Sequence, residues 1–479
     1  MQNERFLNLL KTKINKPMSP TLNLLALAVF QLLPLSVSAT AATPTKDTRP
    51  NIIFILCDDL GYGDLAVNGH PYVKSPNIDR LAAEGLTIQN AYTSAAWCAP
   101  SRYALMSGRY PAHYFQKSLR MDAAAPNLYH TLKSVGYTTA HFGKWHMSGE
   151  GADVPTAADY GVDEDFIHNG KDEGWTKEER DQPHWRENTT QRYVNLAIDF
   201  IEKQTATESP FYLNLWVYPT HSYIDPRADM LEPYRDLQVD IQDFENPLMR
   251  DFLTWISTQG DLEAAMRAYC SDVTELDNQI GRLLKALQDL GIDENTLIVF
   301  SSDNGPPPLG GVHNRDQLAE RIQARPTLIN CVGSSGPFRD RKISLHDGGT
   351  RVPFFVRWPG KVPSGKIDSE TIFTGVDLLP TLASLVGADI PKNIDGENLV
   401  AALAGQSTKR AGPHYWNDRP GWTTLRDNQW KAHLQKGKVR LFNILEDPSE
   451  SNDLSQRLPE RASHYLALLK AWEAEVLSQ

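Results

Sequence analysis

Apolar residues along this chain come in short unbroken blocks set between stretches of helical periodicity. Asn51–Cys57 (NIIFILC), Phe211–Val217 (FYLNLWV) and Thr296–Phe300 (TLIVF) are rich in β-branched and aromatic residues and lack strict polar alternation. Such blocks predict strands buried on both faces of a sheet. Thr87–Tyr92 and Phe354–Trp358 predict two more strands. Helices are predicted over Ser75–Gly85, with its glycine stop, and over Asn127–Val135, Tyr193–Glu202 and Val376–Val386. The longest is Asp261–Leu290, where Leu276, Ile280, Leu283, Leu284 and Leu287 recur at helical spacing. The alternation predicts an α/β fold, a large mixed sheet sandwiched by helices. From about residue 410 the texture changes. Short strand-like pieces at Thr423–Arg426, Trp430–Leu434 and Val439–Asn443 alternate with turns, and a helix follows from Pro459. We read residues 51–409 as the catalytic domain and 410–479 as a smaller C-terminal α+β subdomain with an antiparallel sheet. Three polar stretches, 147–190, 224–260 and 306–335, lack periodicity and read as surface insertions able to shape a substrate site.

Residues 1–40 stand apart. Lys11, Lys13 and Lys16 precede an apolar run from Leu22 to Leu35, and small residues at Val37-Ser38-Ala39 and Ala39-Thr40-Ala41 offer cleavage sites. This is the layout of a signal peptide. A membrane anchor is the competing reading, but the run of about 14 residues falls short of the roughly 20 a spanning helix needs. Residues 41–50 then form a polar linker, and the expectation is an exported protein, periplasmic or secreted, with no membrane attachment after cleavage. A formal charge of −11 argues against nucleic-acid binding. Four cysteines are too few for a disulfide framework.

The chemistry gathers at the ends of the apolar blocks. Asn51–Cys57 runs into Asp58-Asp59, and Thr296–Phe300 into Ser-Ser-Asp303-Asn304-Gly305. Two adjacent carboxylates are costly to place together without a cation, although a solvated turn also accounts for them. Open α/β sheets build their sites at such strand ends. Asp58, Asp59, Asp303 and Asn304 offer only oxygen, which suits Ca²⁺ first and Mg²⁺ second. Cys98 lies near the start of a predicted helix, a favourable place for an anion. Lys144 and His146 are two apart, so in an extended segment both point to one side.

Cys98-Ala-Pro-Ser-Arg102-Tyr-Ala-Leu-Met-Ser-Gly-Arg109 reads C-x-P-S-R-x-x-L-x-S-G-R. It resembles the signature of the type I, formylglycine-dependent sulfatases of the alkaline-phosphatase-like superfamily, the secreted bacterial polysaccharide sulfatases and arylsulfatases among them. Gly136-Tyr-Thr-Thr-Ala-His-Phe-Gly-Lys144-Trp-His146 is similar to that family's second signature. Lys342-Ile-Ser-Leu-His-Asp347-Gly-Gly-Thr-Arg351-Val-Pro resembles a further motif, with Asp347 where Glu is usual. Pro219-Thr-His221 departs from the family's Pro-His-x-Pro by one inserted residue and a missing second proline. The resemblance implies a sulfate-ester hydrolase in which a maturation enzyme converts Cys98 to formylglycine. It implies metal ligation by Asp58, Asp59, Asp303, Asn304 and residue 98. Asp303 then accepts the nucleophile's proton, Arg102 and Lys144 hold the hydrated aldehyde, and His146 is the base for its collapse. His221 and Lys342 bind sulfate, and one of them protonates the leaving oxygen. With Cys98 converted, Cys57, Cys270 and Cys331 allow at most one disulfide.

The expected partner is a sulfated oligo- or polysaccharide. In the insertions, His168, His313 and Arg315 are the candidate substrate contacts, and Trp175, His184 and Trp185 are further side chains able to line a site; a bland loop is the simpler reading of the first insertion. Two other functions compete. A phosphodiesterase or phosphonate monoester hydrolase of the same superfamily shares much of the chemistry. A catalytically inactive binding protein on this scaffold requires a broken motif, and the central residues are intact.

Overall fold

A computed structural model describes residues 49–113, 120–149, 153–169, 174–207, 209–221, 223–307, 319–320, 323–324, 332–417 and 420–477. The signal segment, His313, Arg315 and Cys331 lie outside the described residues.

In chain order the strands are β1 (Asn51–Asp58), β2 (Leu86–Tyr92), β3 (Thr138–Lys144), β4 (Glu164–His168), β5 (Phe211–Thr220), β6 (Thr296–Ser302), β7 (Phe354–Arg357) and β8 (Lys366–Thr374). Then come β9 (His414–Trp416), β10 (Trp422–Asp427), β11 (Trp430–Gln435) and β12 (Lys438–Asn443). The main helices are α1 (Pro76–Ala83), α2 (Cys98–Ser107), α3 (Leu128–Lys133), α4 (Trp185–Thr207), α5 (Pro247–Gln259), α6 (Leu262–Asp289), α7 (Leu378–Val386) and α8 (Pro459–Leu477).

Among the described residues, eight strands form one sheet in the order β4-β3-β5-β1-β6-β7-β2-β8, and β12-β11-β10-β9 form a second, antiparallel one. In the large sheet β7 runs antiparallel to both β6 and β2, and the other pairings are parallel. The mixed sheet and the separate antiparallel sheet are those the sequence predicts. Apolar clusters cover both faces of the large sheet. Ile53 and Ile55 of β1 pack with α4 and α6, while Ile52, Phe54 and Leu56 pack toward α2, α3 and α7. Every residue of β1 is buried. Burying these five large apolar side chains contributes on the order of 10 kcal/mol, which anchors the strand whose end carries two adjacent carboxylates.

Two insertions differ from expectation. The stretch 147–190 contains β4, paired parallel to β3, and the first turn of α4. Glu164-Asp-Phe-Ile-His168 sits at the sheet edge with only Ile167 fully buried, so it lacks the apolar block of an inner strand. Trp175 packs in the core against Phe166 and Tyr193 and so does not line a site. The stretch 224–260 carries α5, an amphipathic helix started by Asn246, whose side chain accepts from Leu248 N–H. The β8 strand has no counterpart in the sequence reading. Cys57 and Cys270 are both buried free thiols. No helix among the described residues is long and apolar enough to cross a membrane.

Candidate active site

The strands β3, β5, β1 and β6 are neighbours and parallel, so their carboxyl ends open on one edge. Asp58 and Lys144 end β1 and β3, Thr220 ends β5 just before His221, and Asp303-Asn304 follow β6. Cys98 opens α2 beside them, with Trp97 as N-cap. Parallel topology thus delivers residues far apart in sequence to one line.

Three cations meet three buried carboxylates here. Arg102 donates through Nε (2.9 Å) and Nη2 (2.6 Å) to Asp303 Oδ2, and through Nη1 to the Lys144 carbonyl (2.9 Å). Lys144 Nζ donates to Asp58 Oδ2 at 2.5 Å, and Lys342 Nζ to Asp59 Oδ1 at 2.6 Å. Asn304 Nδ2 also donates to Asp59 Oδ1, at 2.7 Å, and Asp59 N–H donates to Asp303 Oδ1 at 3.1 Å. His221 Nε2 lies 3.8 Å from Asp59 Oδ2.

The backbone is bent to make this possible. Asp59, His146 and Ile343 all have positive φ, at 66°, 56° and 74°. For non-glycine residues this costs about 1–3 kcal/mol each and concentrates at functional sites. His146 therefore does not continue the strand, and the expectation that it shares a side with Lys144 by strand alternation is corrected. It reaches the cluster from a left-handed turn, held by its N–H on the Asn169 carbonyl at 3.1 Å. Gly143, at φ 121°, lets β3 press on β5, since a Cβ there would stand 1.9 Å from the Trp216 carbonyl oxygen.

Burial and charge set the protonation states. Burial opposes ionisation of Asp58, but Lys144, His221, Arg102 and Lys342 outweigh it and hold the carboxyl far below the ordinary range. Burial pushes Asp303 up to about 6, against Arg102 and with the help of Asp58. Burial works to lower Lys342, but Asp59 overrides it and holds the amine upward. Burial, followed by Lys144 and Arg102, brings His146 down to about 3, so its imidazole is neutral at neutral pH. Burial likewise lowers His221.

The oxygen set fits a hard cation. Asp58 Oδ1 and Asn304 Oδ1 are buried and without a hydrogen-bond partner. Ligand atoms of Asp58, Cys98 and Asp303 lie within 4.8 Å of one another, as do those of Asp58, Asp59 and His221. A third cluster, His346, His433 and Glu450, has the same spacing but different chemistry. Trp422 Nε1–H donates to His433 Nδ1 at 3.1 Å, which puts the proton on Nε2, where it is donated to Glu450 at 2.6 Å. That tautomer's one ring lone pair, on Nδ1, is already committed to Trp422 and Thr424.

Of the candidate substrate contacts, His168 is brought to this edge. It is the residue opposite Lys144 on β4, with its ring against Trp185 and Tyr218. Asp347 faces away from the site. Its buried carboxylate accepts from Lys431 Nζ at 2.6 Å and from Tyr92 at 2.8 Å, joining the Lys342 loop to the small sheet. The sequence reading missed Arg186, which donates to the His221 carbonyl, Asp272, which accepts from Arg186, and Glu187, which accepts from Asp225 N–H.

The family model described as Sulfatase matches residues 50–388, most of the chain. The chain belongs to the sulfatase family. A second model, described as N-sulphoglucosamine sulphohydrolase, C-terminal, matches residues 333–461. The chain is 32% identical to the N-acetylgalactosamine-6-sulfatase of Canis lupus familiaris, covering 84% of this chain and 75% of that one. It is 27% identical to the N-acetylgalactosamine-6-O-sulfatase of Bacteroides thetaiotaomicron, covering 88% and 93%. Ps i-CgsB, solved in complex with k-i-k-neocarrahexaose, superposes with a TM-score of 0.71 at 26% identity, covering 89% and 93%. This sulfatase is therefore a sulfuric ester hydrolase, and sulfatases generally use a metal ion.

Proposed function

We propose that this sulfatase removes sulfate from a sulfated carbohydrate, a polysaccharide or its oligosaccharides, with Cys98 converted to formylglycine by a maturation enzyme and Ca²⁺ as the resident ion. The observation that carries the proposal is the placement of Cys98 at the start of α2, within 4.8 Å of carboxylates whose other oxygens are claimed by Arg102 and Lys144. The oxygen ligands and cations around residue 98 suit a hydrated aldehyde, whose hydroxyl oxygens can ligate a hard cation and accept from Arg102 and Lys144. The printed activities of the relatives support a carbohydrate substrate, and the N-terminal segment supports export.

Hydrated, the aldehyde supplies two hydroxyls on one carbon, one to attack sulfur and displace the sugar alcohol, the other to expel sulfate afterwards. Asp58, Asp59, Asp303 and Asn304 would hold the cation, which would supply Lewis-acid withdrawal of charge from the sulfate. Arg102 and Lys144 fix the nucleophile's oxygens. Asp303 takes the first proton. His146, kept neutral by burial, takes the second. Lys342 and His221 bind the sulfate. One of the two protonates the leaving oxygen. Fixed charges around a transferring anion are the main electrostatic device here. His168 faces the sugar from β4, and His313 and Arg315 remain candidate contacts from the third insertion.

The test is release of free sulfate from N-acetylgalactosamine 6-sulfate and from sulfated galactan oligosaccharides, beside turnover of bis(4-nitrophenyl) phosphate. Sulfate from at least one sugar is expected. Turnover of the phosphodiester with no sulfate from any sugar would overturn the proposal in favour of the phosphodiesterase reading.

A further inference from the structure

Arg186 lies outside the motifs that mark the site, yet it grips the backbone that carries His221. Its Nη2 and Nε donate to the His221 carbonyl at 2.8 and 3.3 Å, and Nη2 lies 3.4 Å from the Tyr218 carbonyl. The rest of the guanidinium is locked by Asp272 of α6, with Nη1 to Oδ1 at 2.8 Å and Nη2 to Oδ2 at 3.1 Å. The neighbouring Glu187 accepts from Asp225 N–H at 2.6 Å. Between these grips, Thr220 Oγ1 donates to the Asp59 carbonyl at 3.1 Å and accepts from Tyr269 at 3.3 Å. Both ends of the segment Tyr218–Asp225 are thus held by the first turn of α4, and Thr220 ties it to the carboxylate side of the site. The His221 side chain is about one-third exposed, with Nε2 3.8 Å from Asp59 Oδ2 and its ring against Tyr218, so moving its backbone moves it relative to both.

We infer that Arg186 is a positioning residue for His221, acting through the His221 carbonyl, with Asp272 and Glu187 as its supports. The inference rests on the role given to His221 above. A planar, five-donor guanidinium suits this task, because two carbonyls and a bidentate carboxylate are met at fixed angles; a lysine ammonium cannot meet all of them. Misplacing a reacting group by about 1 Å costs about 100-fold in rate.

A double-mutant cycle on sulfate release separates positioning from general support of the fold. R186K should lower kcat/KM about 10- to 100-fold. H221A should lower it about 100- to 1,000-fold. If Arg186 acts through His221, the double variant R186K/H221A is no slower than H221A, within about threefold. A double variant slower than H221A by the full R186K factor would overturn the inference. E187Q takes the place of R186K in the same cycle if R186K does not fold. If neither melts as a folded protein, both residues belong to the fold and not to His221, and the inference is overturned. A wild-type enzyme that releases no sulfate from any sugar defeats the functional reading itself, which is a distinguishable result.

Discussion

Lys342 shows how a single residue divides its work between the resting protein and the reaction. Its ammonium is 2.6 Å from Asp59 and belongs to the set of cations that offset three buried carboxylates. Lys342→Ala should lower kcat/KM about 100- to 1,000-fold, and Lys342→Arg should restore little of it, since a flat fork cannot replace a point charge there. An alanine variant with more than a third of wild-type activity would sink that role. Removing the ion has the complementary effect. With a chelator the unpartnered Asp58 and Asn304 oxygens lose their ligand, so sulfate release should cease and the melting temperature should drop. Ca²⁺ should restore both better than Mg²⁺, and activity that survives exhaustive chelation would contradict the oxygen site. Asp58, Cys98, Lys144 and Asp303 were legible because each rides on a short local pattern at a strand or helix end. Arg186 was not, because it acts on a carbonyl 35 residues away in the chain, a contact that no local spacing encodes.

At the level of elements, the inner strands β1, β2, β5, β6 and β7 could be read, while β3 and the two outer strands could not. The strands β1, β5 and β6 are unbroken apolar blocks because both of their faces are covered. The strands β4 and β8 lie at the two edges of the sheet, where exposed positions dilute the pattern with Glu, Asp and Lys. The start of α4, residues 185–190, read as part of a polar insertion because Arg186, Glu187, Thr189 and Thr190 are polar although buried. The small sheet bears on the site through β11. Lys431 is fully buried, with Asp347 at 2.6 Å and Glu450 at 3.2 Å. Asp347 belongs to the loop that carries Lys342, so β11 braces that loop. Lys431→Met removes the cation that Asp347 and Glu450 share, leaving Asp347 to Arg351 at 3.4 Å and Arg426 at 3.9 Å, and should cost about 3 kcal/mol of stability. Chemical denaturation measures it, and a loss below about 1 kcal/mol would show that the brace is not under load.

Across the whole molecule, an acidic chain of net charge −11 gathers Arg102, Lys144 and Lys342 against three carboxylates at one edge, and this gathering was only half legible. Composition reports the sum, while the parallel order β3-β5-β1-β6 decides where the opposite charges meet. Buried histidines give the fold a pH limit. Burial lowers His70 and His141 to about 3, His346 to about 4, and His414 and His433 well below the ordinary 6.5. Below pH 6.5 the unfolded chain takes up protons at these five sites and the folded chain does not, so stability falls by up to about 1.4 kcal/mol per group per pH unit. Asp64 and Glu187, raised to about 7 by burial, and Asp303, raised to about 6, act in the opposite sense but are outnumbered by these histidines. The melting temperature should therefore decline steadily from pH 6.5 to pH 5, and a rise over that range would refute the argument. The most direct measurement of the central claim is the mass of the peptide that contains residue 98, taken from enzyme preparations of different specific activity. Conversion of the thiol to an aldehyde removes about 18 Da, and the converted fraction should rise in proportion to sulfate release, with Cys98→Ser inactive and folded. Full activity in a preparation whose Cys98 is an unmodified thiol would contradict the account.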